Sequence, residues 1–375
     1  MKLATTTLVF CVAALLSLGM VMLYSSSMVQ SGTHFLVNQL VWGCLGIAVC
    51  VGMACLDYQW LKKYSWVLLA FSVFLLLLVF VPHVGIGAKG ARRWIGYGGA
   101  RFQPSELAKL SLVIFLAWYG ERNQRHMGSF KRGLLIPGAI VAVVLGLIFI
   151  EPDRGTTILL ALVSGMLLVI AGVRWRFVAP IVVLLLGGLA YSLSHDSMRM
   201  GRIYSWTHLE ETKLGKGMQA YQAMLAFGSG GWTGLGLGNG RQKLGFVPEH
   251  HTDFIFSIVG EELGLVATMG ILVGFLLLLV CGIFIASRAR DTFGMLLASG
   301  MTFLIGLQAL INIGVVTGAL PNKGMPLPFI SYGGSNLLVM LLAVGILLSV
   351  ARQGLAVAAP VRNANPFAGP VPQPT

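Results

Sequence analysis

Charge is scarce in this chain. Of its 375 residues only 10% are Asp, Glu, Lys or Arg, against 56% that are hydrophobic, whereas soluble domains carry about 25% charged residues. With a mean hydropathy of +0.83, that shortage excludes an ordinary soluble domain and leaves an integral membrane protein. Acidic groups are the scarcer sign: 13 Asp and Glu stand against 26 Lys and Arg, a net charge of +13. The cations are spread through the loops between apolar runs, so anionic lipid headgroups or an anionic substrate are expected rather than nucleic acid. Cysteine is sparse too. Cys11, Cys44, Cys50, Cys55 and Cys281 all lie in or at the ends of apolar runs. No pair brackets a loop and no metal-ligand spacing occurs, so they read as small buried hydrophobes. The chain shows no repeat of 20–50 residues, and no matched pair of broken spans that would mark an inverted-repeat transporter.

A bilayer core takes about 20 apolar residues in helical form. By that measure spans fall near 6–24, 35–55, 64–82, 104–120, 134–150, 155–172, 176–193, 254–286, 292–318 and 334–352. The expected fold is an all-α polytopic membrane protein of ten transmembrane helices, with a large extracytoplasmic loop, 194–252, between the seventh and eighth. Lys2 and the apolar run after it resemble a signal peptide, but the run is long enough to span and is kept as the first helix. The run 254–286 exceeds one perpendicular crossing and is interrupted by Gly-Glu-Glu-Leu-Gly at 260–264, which predicts a tilt or a start in the outer interface. Lys62, Lys63, Arg122, Arg125, Lys131, Arg132, Arg174, Arg176, Arg288 and Arg290 share the side of the termini, which places both termini in the cytoplasm. Residues 1–354 form one transmembrane domain. The Pro-rich stretch 355–375 is expected to be a disordered cytoplasmic tail.

Against this apolar background the polar clusters stand out. The densest is Glu249, His250, His251 and Asp253, just before a long hydrophobic run. A carboxylate at the rim of a membrane helix is costly unless it has a function. Zinc is one reading of the cluster, although neighbouring residues rarely supply several ligands to one ion. A helix start with Thr252 or Asp253 as N-cap is the bland reading. Such a start would favour the anion and weaken it as a base. The glycines of GLGLGNG at 234–240 lack the strand and helix of a dinucleotide fingerprint, and read as irregular turns or a close backbone approach. Pro104 suits a first helical position, and Glu106 and Lys109, three apart, share a face and can neutralise each other within the membrane. The outer loop 83–103 holds Lys89, Arg92, Arg93 and Trp94, which anchor to headgroups or clamp a phosphate; Arg199 and Arg202 form a second such pair. Glu151-Pro152-Asp153-Arg154-Gly155 makes a tight outer turn. The prolines and glycines of 320–335 forbid regular helix and predict a re-entrant or surface loop, with a groove lined by Lys323 and Ser331.

KGARRW at 89–94, RFQPSELAKL at 101–110, EPDRGT at 151–156, GLGLGNGRQKLGFVPEHHTDFIFSIVGEELG at 234–264 and LPNKGMPLPFISYGGS at 320–335 together resemble the SEDS family (shape, elongation, division and sporulation), the FtsW/RodA-type peptidoglycan polymerases. Gln242-Lys243-Leu244 and Asn322-Lys323-Gly324 look more like the division branch than the elongation branch; a sporulation homologue would look alike. The resemblance implies ten helices, polymerisation of lipid II at the outer face of the cytoplasmic membrane, and a class B penicillin-binding protein as partner. It places the family's essential acid on Asp253, its cation on Arg93, its intramembrane acid–base pair on Glu106 and Lys109, and a second acid on Asp153. Its arginines fall on Arg199 and Arg202, and the Lys and Ser of the last outer loop on Lys323 and Ser331. The chain departs from the pattern at Thr207–Thr212, at Met218 in place of Tyr, and at Glu151 in place of the usual Gln.

That resemblance implies a reaction that one carboxylate and several cations can serve. Asp253 would take the proton from the acceptor sugar's 4-hydroxyl, or hold a divalent cation, Mg²⁺ or Mn²⁺; the residues leave both roles open. Arg93, Arg199, Arg202 and Lys323 are the candidates for stabilising a departing pyrophosphate. The competing readings are a flippase for the lipid-linked precursor, which would need Glu106 and Lys109 but tolerate Asp253→Asn, and a scaffold that needs none of them.

Overall fold

The computed structural model describes residues 1–82, 85–88, 91–97, 100–180, 183, 187, 197–215, 217–245 and 251–358. In hydrocarbon every backbone N–H and C=O must find a partner within the chain, so apolar runs close on themselves as helices. They form α1 (Lys2–Ser31), α2 (His34–Cys55), the short α3 (Gln59–Lys63), α4 (Ser65–Leu78), α5 (Pro104–Arg122), α6 (Ile136–Ile150), α7 (Arg154–Ile170), α8 (Ser197–Thr207), α9 (Met218–Gly230), α10 (Ile255–Ser287), α11 (Thr292–Val316) and α12 (Gly334–Ala358). Among the described residues six helical stretches are long and apolar enough to cross a bilayer: Lys2–Met28, His34–Cys55, Phe130–Ile150, Ile255–Ser287, Thr292–Val316 and Gly334–Leu355. The apolar α4 and α7 are shorter. A helix stands at each expected span except 176–193, most of which lies outside the described residues.

Two findings differ from the sequence reading. The fold is not purely helical: β1 (Gly85–Ala88), β2 (Ala91–Tyr97) and β3 (Ala100–Phe102) form an antiparallel sheet in the order β1-β2-β3, within the loop before α5. Ile95 of β2 pairs with both Gly85 and Phe102. The last helix continues to Ala358, past the expected boundary at 354, and the rest of the tail lies outside the described residues. The expected interruption at 260–264 is present: α10 is broken at Gly264, whose φ of 74° is open to glycine at little cost. A β-carbon there would lie 2.4 Å from the backbone N of Gly234, so the break also admits the Gly-rich loop against the helix.

Burial separates centre from rim. About three quarters of α11 and α12 is buried, 72% and 78%, against 22% of α2. In α5, fifteen of nineteen residues are buried. These three helices form the core, α2 packs along α12, and α1 along α10. The exposed aliphatic faces of α2, α4 and α10 are the surfaces that lipid would cover.

Candidate active site

Asp253 sits just before α10 and is not its N-cap. The helix begins at Ile255 with Phe254 in the cap position and no side-chain cap, while Phe254 and Ile255 are buried in the core. Burying those two apolar residues sets where the helix starts and leaves Asp253 outside its first turn, facing the segment 320–333. A β-carbon at Gly324 would lie 2.7 Å from Asp253 Oδ2, so any side chain there would displace the carboxylate. The backbone oxygen of Asp253 accepts from Asn312 Nδ2 at 2.8 Å, and the same amide donates to Met325 O at 2.6 Å. One side chain of α11 thus ties the carboxylate's backbone to the loop that meets it. His251 is fixed from two sides: its carbonyl accepts from Tyr332 N, and its ring stacks on Phe35 at 4.6 Å. Glu249 and His250 lie outside the described residues.

The segment 320–333 is non-helical, and its part from Met325 to Ser331 is largely buried. Met325, Leu327, Phe329 and Ile330 are each at most 2% exposed. Such backbone survives at depth only when protein satisfies it. Gln308 Nε2 donates to Pro326 O, Gln39 Nε2 to Ser331 O, and Ser331 Oγ accepts from Leu327 N. Ser331 is itself buried, so its hydroxyl shapes the loop and lines no open groove. Glu106 and Lys109 are also buried, at 2.8 Å from each other, and Lys109 Nζ donates to Gln308 Oε1 at 2.9 Å. Through Gln308 the intramembrane pair therefore supports the same loop. Neither Gln308 nor Asn312 was singled out from the sequence; an amide inside an apolar run, once per turn of α11, was the available signal.

The turn between α6 and α7 supplies the third wall. Asp153 caps α7, accepting from Thr156 N at 3.2 Å and from Thr156 Oγ1 at 2.9 Å, with Gln103 Nε2 at 3.1 Å. The caps and the buried position give it a structural part. A β-carbon at Gly155 would lie 3.2 Å from Met325 Cγ and 3.5 Å from Gly324 O, so this turn packs close to the loop beside Asp253. Arg93 reaches it from β2, donating Nε to Glu151 O at 3.0 Å and a terminal nitrogen to Pro152 O. Lys323 is partly buried, and burial, with Arg154 nearby, lowers its pKa. Glu151 is 1% exposed and neither carboxyl oxygen has a hydrogen-bond partner among the described residues. Burial first, then the charge of Asp153, pushes its pKa up to about 8 against the pull of Arg93. Of Arg199 and Arg202 only the backbone, in α8, is described. Among the described residues no three His, Cys, Asp or Glu side chains come together as a metal cage.

A second cluster went unrecognised as a unit in the sequence. Glu262 Oε1 accepts from Lys243 Nζ at 2.6 Å, and its other oxygen accepts from Ser25 Oγ at 2.6 Å and Gly238 N at 3.0 Å. Glu261 accepts from the backbone N–H groups of Arg241 and Gln242. Two adjacent carboxylates at the start of α10 thereby clamp the loop 234–244 to α10 and α1. The arrangement holds a carboxylate, Asp253, against the backbone of Gly324, next in the chain to Lys323, which lies near Arg154. It is suited to accepting a proton next to a group that gains negative charge.

With this geometry, known proteins give a consistent comparison. Residues 6–355 match the family model FtsW/RodA/SpoVE, described as cell cycle protein. A protein of Geobacter metallireducens named probable peptidoglycan glycosyltransferase FtsW is 42% identical over 343 residues, covering 90% of this chain and 92% of the relative. Among solved structures, a chain from work on the structural coordination of polymerization and crosslinking by a peptidoglycan synthase complex matches with a TM-score of 0.79 at 30% identity, covering 92% of this chain and 97% of that one. The crystal structure of the rod shape determining protein RodA of Thermus thermophilus matches with a TM-score of 0.70 at 30% identity, covering 92% and 96%. Sequence and fold agree along nearly the whole length, and this multi-pass membrane protein belongs to the FtsW/RodA/SpoVE family.

Proposed function

We propose that the chain is a peptidoglycan glycosyltransferase that polymerises lipid II into β-1,4-linked glycan strands, in septal wall synthesis during cell division. The observation that carries this reading is Asp253, held by Asn312 against the glycine backbone of Gly324, next to Lys323. In the proposed step the Asp253 carboxylate removes the proton from the 4-hydroxyl of the acceptor's N-acetylglucosamine. That oxygen forms a bond to the anomeric carbon of the growing strand's N-acetylmuramic acid, with inversion. The bond from that carbon to undecaprenyl pyrophosphate breaks, and the leaving group carries away the electron pair as an anion. Lys323, Arg199 and Arg202 are the cations proposed to meet it, while Arg93 holds the turn that carries Asp153 and Arg154.

A divalent cation, Mg²⁺ or Mn²⁺, would be held by Asp253 with substrate phosphate and water, since Mg²⁺ is commonly bound through one or two carboxylates rather than an all-protein cage. When bound, it would supply charge neutralisation at the pyrophosphate. The proposal includes ten transmembrane helices, both termini in the cytoplasm, the site on the extracytoplasmic side, and a class B penicillin-binding protein as partner. The relative solved in a peptidoglycan synthase complex supports that partner. Relatives named FtsW favour division over elongation or sporulation.

The test is glycan polymerisation from lipid II by the purified protein with its cognate transpeptidase. Wild type is expected to make long strands, and Asp253→Asn, folded by the same thermal criterion, to lose roughly a hundredfold to ten-thousandfold in rate. Equal polymer from both would remove Asp253 from catalysis. No polymer from either, with translocation of the precursor in liposomes intact, would favour the flippase.

A further inference from the structure

At the end of the bundle opposite Asp253 the described residues form an open cleft of about 480 Å³. Its place follows from α2. The N-terminal turn of α2 carries Phe35 against His251, and its 22 residues carry the chain about 33 Å, at 1.5 Å per residue, to the loop that opens the cleft. Lys62, Lys63 and Arg122 line the cleft with Gln59, Trp66 and Trp118. Only one of the three cations is neutralised: Lys62 pairs with Glu121 at 2.7 Å. Lys63 lies over the rings of Trp60 and Tyr64, and Arg122 over Trp118 at 5.3 Å, and neither has a carboxylate partner among the described ion pairs. The other acids at this end are engaged elsewhere. Asp291 accepts from Tyr58 and Gln59, and Asp57 from Gln59 N and Gln353.

Two uncompensated cations facing one cleft call for an anion. The surroundings say which kind. Trp60, Tyr64 and Trp66 are exposed at the mouth, the placement of aromatics at a membrane interface. From the mouth, Val67, Phe71 and Phe74 run up α4 at helical spacing, all exposed, as an apolar stripe facing the surroundings of the bundle. A free phosphate would use the cations alone; a lipid would use both the cations and the stripe.

We propose that this cleft binds an anionic phospholipid, its headgroup phosphate between Lys63 and Arg122 and its acyl chains along the exposed face of α4. The test mixes the full-length protein in detergent with equal amounts of phosphatidylglycerol and phosphatidylcholine and counts retained lipid by native mass spectrometry. Two cations at about fivefold each predict a preference for phosphatidylglycerol of roughly thirtyfold. The double variant Lys63→Gln/Arg122→Gln is expected to lose it, and Lys63→Arg/Arg122→Lys to keep it. Arg125→Gln/Lys131→Gln, cations near the same end that do not line the cleft, should also keep it, and the thermal midpoints of all four proteins should agree. Equal retention of the two lipids by wild type, an unchanged preference in Lys63→Gln/Arg122→Gln, or loss in Arg125→Gln/Lys131→Gln would each overturn the site. Glycerol phosphate displacing the lipid at matched concentration would overturn its assignment to a lipid in favour of a free phosphate.

Discussion

Glu151 offers a sharp test of the electrostatics around the site. Its carboxyl is buried, beside the Asp153 charge, and its pKa is raised from 4.5 to about 8. The folded protein therefore keeps a proton there that the unfolded chain releases as pH rises past the ordinary value. Between pH 4.5 and about 8 the native state binds more protons than the unfolded state, so stability must fall as pH rises through this window and level off above it. At about 1.4 kcal/mol per pH unit the gap sets a ceiling near 5 kcal/mol, and screening by water reduces it to about 2 kcal/mol. Glu151→Gln is close to isosteric with the protonated acid and has nothing to titrate. Unfolding of both proteins in detergent, followed across pH 5 to pH 8, should give a wild-type curve that falls relative to the variant by about that amount. The variant should be the more stable at the alkaline end. Parallel curves would refute the reasoning and mean that Glu151 ionises freely in the fold.

Other predictions follow from the same contacts. Gly324→Ala places a methyl group 2.7 Å from Asp253 Oδ2, and should lower the polymerisation rate roughly tenfold to a hundredfold with little change in KM, as displaced catalytic groups do. Lys243→Met leaves Glu262 buried with its charge uncompensated; it should cost about 3–5 kcal/mol in unfolding, and Lys243→Met/Glu262→Leu distinctly less. Lys109→Met should behave likewise through Glu106, and because Lys109 also holds Gln308, protease sensitivity of the segment 320–333 should rise. If Lys109→Met destabilises the chain without exposing that segment, the connection through Gln308 is wrong.

Much of this protein was legible in one dimension because a bilayer imposes one-dimensional rules. Runs of apolar residues had to be helices, and nine of the ten expected spans coincide with described helices. Pro104 at a helix start, the pairing of Glu106 with Lys109, the break near Gly264 and the non-helical 320–333 follow from local chemistry, and the structure contains all four. Where a helix begins within a turn was not legible. Thr252 or Asp253 as the cap was the bland reading of this turn, but burial of Phe254 and Ile255 moves the start beyond both, and packing against distant elements sets that choice. The sheet of 85–102 was missed because its strands are three to seven residues long, too short for alternation to outweigh the glycines. Above all, the partners of the polar groups lie far away in the chain: Asn312 on Asp253, Gln308 on Lys109, Ser25 and Lys243 on Glu262. Composition and order made clear which residues were too polar to be there without cause. Which group neutralises each of them depends on helices meeting side by side, and no spacing along the chain encodes that distance.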